Sequence, residues 1–242
     1  ANDVTAYIQK VYNSGKYSSL WINFHGGEPM LNLKIIKYIV TILRHVGIKL
    51  YTTLTTNCSI YDKEIADYID DITVSIDGVK DAHNRNRTDR SGKGTYDKVI
   101  KIAQQYNKLM HGVRLRMVIT PNNASELYEG IKHLSSLGFR EIIAGIDYFN
   151  SSWDTAGFEV VMQQFQLVKQ WRQKHLIFKH KLKIGTLDES PMEKGKCIVG
   201  CDGYQINVDG LIYPCTYVVG DSKFMIGNVK DGLETARIEQ IN

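Results

Sequence analysis

A chain of 242 residues, 43% hydrophobic and 23% charged, has ordinary globular composition and enough apolar material for a sizeable core. A formal net charge of +4, with no basic tract interleaved with aromatics, argues against nucleic acid as a partner. No run of about 18 apolar residues occurs, so no transmembrane helix and no membrane partner are expected.

The opening Ala1-Asn2-Asp3 is polar and no apolar h-region follows, so no signal peptide is expected there. The absence of an initiating Met fits a processed or excised piece. Cys58 stands alone, whereas Cys197, Cys201 and Cys215 sit together in the last fifth of the chain. That clustering suits a metal or cluster site better than a disulfide framework.

In chain order, Asp3 to Asn13 is predicted as an amphipathic helix, with Val4, Ile8 and Val11 on one side. Ser19 to Phe24 is the first strand, and Leu33 to Val46 a helix closed by Gly47. Lys49 to Thr56 is a β-branched strand, Lys63 to Ile69 a short helix, and Asp71 to Ile76 another strand. A polar, Arg-rich loop is expected from Lys80 to Lys93. Helix Tyr96 to Met110, strand Val113 to Ile119, helix Ser125 to Leu137, strand Glu141 to Ile146 and helix Phe158 to Lys174 complete the series. Strand and helix alternate about five times with short connections, which predicts a parallel α/β sheet, open or wound into a full or partial barrel.

Ligands gather at the carboxyl ends of strands in such folds. Each notable polar cluster lies at one: Gly26-Gly27-Glu28-Pro29, Thr56-Asn57, Ser75 with Asp77, and Asn122-Asn123. The two glycines suggest close approach to the backbone, and Glu28 suggests that the approaching group is cationic. A strand-to-helix turn wants glycines for local reasons too, and on glycines alone the two readings are equal. Asn57 reads as a turn or cap residue, and Cys58 as a core or turn residue. His25 touches a substrate or packs within its loop.

After about Ile177 the character changes to a charged link and then a Gly-, Asp- and Tyr-rich tail. Tyr204 to Tyr213 reads as a hairpin with Asp209-Gly210 at the turn. A boundary is therefore placed between Lys179 and Asp188, giving a barrel over residues 1–180 and a small extension over 181–242. No internal repeat or low-complexity segment is present.

Phe24-His25-Gly26-Gly27-Glu28-Pro29, then Thr56-Asn57, then Val74-Ser75-Ile76-Asp77-Gly78 form an ordered set. It continues with His83-Asn84-Arg85-Asn86-Arg87, Gly94-Thr95-Tyr96, Cys201, Gly210-Leu211-Ile212-Tyr213-Pro214-Cys215 and Ile226-Gly227-Asn228-Val229. In this order the set resembles the radical S-adenosylmethionine enzymes with a C-terminal SPASM or twitch extension. The resemblance implies a partial (β/α) barrel with S-adenosylmethionine across the strand ends. Gly26, Gly27, Glu28 and Pro29 match the motif that receives the methionine amino group. Ser75 and Arg87 match positions that hold its carboxylate. Asp77 is expected either to hydrogen-bond ribose or to cap its own turn, and Asn57 is the weakest of the set. Cys197, Cys201 and Cys215 match three ligands of an auxiliary [4Fe–4S] cluster, with structural zinc or free cysteines as alternatives. The resemblance also implies a peptide or protein substrate, an electron donor such as a flavodoxin or ferredoxin, and a cytoplasmic setting.

The defining Cys-x-x-x-Cys-x-x-Cys of that family does not occur in this sequence. The expectation is therefore a middle portion of a larger enzyme, lacking the first cluster loop and the distal cysteines and by itself unable to cleave S-adenosylmethionine. A degenerate barrel that binds without redox chemistry is the reading of another class. In sulfatase-maturing members the cysteine matching Cys215 is followed by an Asp that acts as a base. Here Thr216 follows, which favours ribosomal-peptide maturation by thioether or carbon–carbon cross-linking. Asp202, Asp209 and Asp221 are substitute bases. Tyr148, Phe149 and Trp153 either line the substrate side or pack under a loop.

Overall fold

The computed structural model describes residues 1–149, 152–175, 182–188 and 203–241. The chain divides into two compact units. One comprises Trp21–Ile36 and Tyr51–Ser190, the other Ala1–Leu20, Lys37–Leu50 and Pro191–Asn242. The domain division expected between Lys179 and Asp188 falls in part on residues 179–181, outside the described residues.

The parallel sheet runs β1 (Leu20–Phe24), β2 (Leu50–Thr56), β3 (Asp71–Ser75), β4 (Arg114–Ile119), β5 (Glu141–Ile146) and β6 (Lys183–Ile184), in that spatial order. Pairing from β2 to β6 is parallel throughout. The order never reverses, so right-handed crossovers place every helix on the same face of the sheet. This is the winding of a (β/α) barrel and not of a doubly wound sheet, as the resemblance implies. One face carries Ile72, Val74, Ile76, Leu115, Met117, Ile119, Ile142, Ala144 and Ile184, all buried. The opposite face is polar, and the register aligns it into rows. Thr55, Thr73, Arg114, Glu141 and Lys183 form one row, and Ser75, Arg116 and Ile143 the next toward the carboxyl ends.

Helices α2 (Leu33–His45) and α4 (Tyr96–Leu109) bury Ile36, Ile39, Val40 and Leu43, and Val99, Ile102, Ala103 and Tyr106 respectively, the spacing that one helical face requires. Helices α5 (Leu127–Ser136) and α6 (Thr155–Lys174) bury Leu127, Ile131 and Leu134, and Val161, Phe165, Val168 and Trp171. The expected helix at Lys63 is a 3₁₀ turn, Lys63–Asp67, whose N-cap Asp62 accepts from Glu64 N–H.

The Arg-rich stretch from Lys80 is not all loop. Lys80–Asn86 forms α3, a helix of seven residues that buries Ala82 and His83. Its apolar face is one alanine wide, so hydrophobic periodicity cannot reveal it. The buried imidazole is satisfied instead by polar partners described below.

In the other unit, β7 (Gln205–Ile206), β8 (Leu211–Tyr213), β9 (Gly227–Asn228) and β10 (Gly232–Leu233) form an antiparallel ribbon in the order β10-β9-β8-β7. Asp209-Gly210 makes the expected turn, with Asn207 N–H donating to Leu211 O at 2.9 Å. The amino-terminal helix α1 (Asn2–Asn13) packs on this ribbon. Tyr7, Ile212, Ile226 and Val229 form its buried core, with Val4, Val11, Tyr204 and Ile206 around them. The Tyr7 and Tyr204 hydroxyls meet at 3.1 Å. No helix among the described residues is long and apolar enough to cross a membrane.

Candidate functional site at the strand ends

The turn after β1 is organised by Glu28. Its backbone is extended, and its Oε1 caps the 3₁₀ turn Pro29–Asn32 by accepting from Met30 N–H at 3.0 Å. The same oxygen accepts from the Thr56 hydroxyl at 2.8 Å, and Oε2 accepts from Asn57 N–H at 2.7 Å. One carboxylate thus ties the end of β1 to the end of β2. An ionised carboxylate offers about four acceptor positions, so three are used and one remains. Gly26 sits at φ +133°, a backbone position that a side chain disfavours. Gly27 carries no such constraint, and a Cβ there would meet nothing within 4 Å. The chain's own packing therefore gives no reason for glycine at 27, and the space above it is open.

Asn57 is a turn residue: its Oδ1 accepts from Ser59 N–H at 2.8 Å. Cys58, at φ +55°, is fully buried, and burial followed by the charge of Glu28 pushes its thiol well above the usual range. It is an inert core thiol at a tight turn.

At the end of β3 the Ser75 hydroxyl faces the polar side of the sheet, half-buried and without a hydrogen bond to any described residue. Asp77, two residues on, is buried and fully engaged. Oδ2 accepts from Arg87 Nε at 2.8 Å, and Oδ1 accepts from Arg87 Nη2 at 3.1 Å and from Val118 N–H at 2.9 Å. Arg87 keeps Nη1 and its outer edge for another acceptor.

His83 supports this pair from α3. Its Nδ1 accepts from Asp77 N–H at 3.2 Å, which places the ring proton on Nε2, 3.0 Å from Thr95 Oγ1. Thr95 Oγ1 donates to Arg87 O at 3.2 Å. Burial pushes the imidazole down to about 4 against the opposing pull of Asp77. Asn86, the neighbour of Arg87, has a buried Nδ2 with no hydrogen-bond partner among the described residues.

The structure thus brings Glu28 together with Thr56 and Asn57, and Asp77 with Arg87. Asn123, expected near the site after β4, instead folds back on its own turn, accepting from Thr120 N–H and donating to Val118 O. Sequence reasoning placed Thr95 and His83 in the ordered motifs but gave neither a role, and it did not single out Arg116. Arg116 lies on the polar face of β4, and its charge, second to burial, depresses His25 at the end of β1. The alternation Arg114-Leu115-Arg116-Met117 was the available signal for it. Of the aromatics after β5, Tyr148 and Phe149 are exposed. Trp153 donates from Nε1 to Asp147 O at 2.7 Å and stacks on Phe158 at 4.9 Å.

Cys197, Cys201 and Asp202 lie outside the described residues. Cys215 is a free, half-buried thiol just before the 3₁₀ turn Thr216–Val218. Among the described residues no group of three His, Cys, Asp or Glu side chains is placed to hold a metal ion. Asp209 accepts from Leu211 N–H and Asp221 from Lys223 N–H, so both are turn residues.

No protein-family model matches the chain. A cysteine-type anaerobic sulfatase-maturating enzyme of Clostridium perfringens is 25% identical over 231 residues, covering 86% of this chain and 62% of that protein. The chain therefore spans less than two thirds of that relative's length. The structure of anSMEcpe with bound AdoMet and Kp18Cys peptide superposes with a TM-score of 0.80 at 22% identity, over 99% of this chain and 72% of that one. Streptococcus suis SuiB bound to its precursor peptide SuiA matches with a TM-score of 0.65 at 17% identity, over 98% and 57%. By sequence and by fold, this chain is a homologue of the anaerobic sulfatase-maturating enzymes, built on the partial barrel of the radical S-adenosylmethionine enzymes.

Proposed function

We propose that this chain is part of a radical S-adenosylmethionine enzyme that modifies a peptide or protein. One observation supports the reading: Gly26, Gly27 and Glu28 follow β1 and Ser75 ends β3, with Arg87 held beside it by Asp77, all on the carboxyl side of a fold whose anSMEcpe counterpart holds AdoMet. Bound at a reduced [4Fe–4S] cluster, S-adenosylmethionine would supply radical chemistry for hydrogen abstraction from the substrate.

The residues present fit the methionine end of that molecule. The open space over Gly27 admits an α-ammonium to the backbone, and the remaining acceptor position of Glu28 supplies the opposite charge. Pro29 and Asn57 shape the turns that aim it. The unpartnered Ser75 hydroxyl and the outer edge of Arg87 suit the carboxylate, while Asp77 fixes the guanidinium plane. Cys197, Cys201 and Cys215 would hold an auxiliary cluster, since an all-thiolate set suits iron–sulfur. The sequence holds no Cys-x-x-x-Cys-x-x-Cys, so this chain alone binds S-adenosylmethionine weakly and does not cleave it. An electron donor of the flavodoxin or ferredoxin kind and a cytoplasmic setting belong to the same reading.

Thr216 in place of a base after Cys215 favours ribosomal-peptide cross-linking. The name of the Clostridium perfringens relative favours sulfatase maturation instead. Anaerobic reconstitution of the full-length protein, with iron and sulfide counted and 5′-deoxyadenosine measured, tests the enzyme. Cluster-loaded protein that forms no 5′-deoxyadenosine leaves only the degenerate binding barrel.

A further inference from the structure

We propose that Arg116 receives a carboxylate of the peptide substrate, so that the barrel selects an acidic residue near the site of modification. The inference rests on the peptide-modifying reading above. Arg116 stands in β4, a central strand, as the Cα partner of Ser75 on one side and Ile143 on the other. One row below, Arg114 is neutralised: its Nε donates to Glu141 at 2.8 Å and its Nη2 lies 3.0 Å from Asp71. Arg116 has no hydrogen bond or ion pair to any described residue, and it is exposed within the polar face. A charged fork held on a central strand without a counter-ion is available to an anionic ligand.

Its surroundings suit a substrate more than the cofactor. The guanidinium extends toward β5, away from Ser75. Its Nη2 lies 3.5 Å from where a Cβ of Gly145 would stand, which seats the head group over β5. Of the strand-end acids, Glu28 is held by three donors and Asp77 by Arg87 and Val118, and Asp147, just past β5, makes no ion pair with Arg116. The charge of Arg116 is felt at His25, which sits exposed at the end of β1 and whose imidazole burial and that charge together favour in the neutral form. Tyr148 and Phe149, exposed just past the end of β5, offer apolar surface to a chain laid over this mouth.

His25 provides the reporter. Its imidazole signals are followed by nuclear magnetic resonance over a pH titration of this chain. The added probes are N-acetyl-aspartate N-methylamide or its asparagine counterpart. A carboxylate docked on Arg116 raises the His25 titration midpoint, and the neutral amide leaves it in place. In Arg116→Gln the midpoint without probe is already higher, and the response to the aspartate probe weakens by roughly tenfold or vanishes; Arg116→Lys keeps part of it. Equal responses to the two probes, or an undiminished response in Arg116→Gln, overturn the proposal. Loss of the aspartate response on adding S-adenosylmethionine but not 5′-methylthioadenosine assigns the fork to the cofactor's carboxylate, and overturns it too. An intact aspartate response in a chain that binds no S-adenosylmethionine supports Arg116 while removing the cofactor reading.

Discussion

Arg87 grips the buried carboxylate of Asp77 through both arms of its fork, Nε to Oδ2 at 2.8 Å and Nη2 to Oδ1 at 3.1 Å. The pair joins the loop after β3 to the end of α3, and Val118 N–H extends it to β4. Arg87 therefore has a structural duty whether or not a ligand carboxylate uses its outer edge. The Asp77 carboxylate is 1% exposed in the intact pair, and removing the guanidinium leaves it with one backbone donor. Breaking a buried pair in this way costs about 3–5 kcal/mol. Arg87→Ala is expected to lose that much in urea denaturation, and a loss below about 1 kcal/mol would show that the pair is dispensable.

Glu28 presents a different test, because its three donors sit on two strand ends. In Glu28→Gln one acceptor oxygen becomes an NH₂ group that must face either Asn57 N–H or the donors at Met30 and Thr56. The Asn57 N–H bond is exposed, so the NH₂ turns to that side and the loss is the net worth of one hydrogen bond, about 0.5–1.5 kcal/mol. The expected result is a stability loss in that range. Backbone amide shifts at Met30 or Asn57 should change while those of β5 stay fixed. Unchanged amide shifts at both residues would mean that Glu28 does not clasp the two strands.

Much of this frame is written in local pattern. Strand Glu141–Ile146 falls where its alternation predicts, and the Asp209-Gly210 turn likewise, because burial on one face enforces a period of two. The cluster of Gly26, Gly27 and Glu28 is legible for the same reason: it follows a strand whose end the pattern marks. Other features depend on partners remote in sequence. Helix α3 hides its burial in His83, whose ring is satisfied by Asp77 N–H and Thr95 and not by apolar neighbours. Strand β6 has two residues, too few for any period. The docking of α1 on the carboxyl-terminal ribbon is a contact between Tyr7 and Tyr204, which no local window spans. Arg114 and Arg116 look alike in sequence, and only the sheet separates the neutralised arginine from the one without an ion pair among the described residues.

The turn after β3 meets α5 at a glycine–glycine contact. Gly78 has φ +90°, and a Cβ placed on Gly130 would stand 2.9 Å from Gly78 Cα and 3.1 Å from Met117 Cε. In an open helix, Gly→Ala stabilises by about 1 kcal/mol. Here the methyl meets backbone, so Gly130→Ala is expected to destabilise by about 1–3 kcal/mol instead. The sign of the change in denaturation midpoint decides it, and a rise would place α5 farther from the turn than this contact requires.

His83 makes the fold sensitive to acid. Its pKa is pushed down to about 4 by burial, below the ordinary value of 6.5. The unfolded chain therefore binds this proton first. The contribution is fully present above about pH 6.5 and falls away as the pH drops toward about 4, where both states are protonated. At about 1.36 kcal/mol per unit, the loss across that window is roughly 3 kcal/mol. The geometry gives the cause: Nδ1 accepts from Asp77 N–H, so a second ring proton would oppose that donor and unseat the turn that carries Asp77. Unfolding free energies at pH 7, 5.5 and 4.5 should decline in the wild-type chain. In His83→Gln, whose side-chain oxygen can accept from Asp77 N–H without titrating, that part of the decline should be absent. Parallel pH profiles for the two proteins would assign the acid sensitivity to other groups.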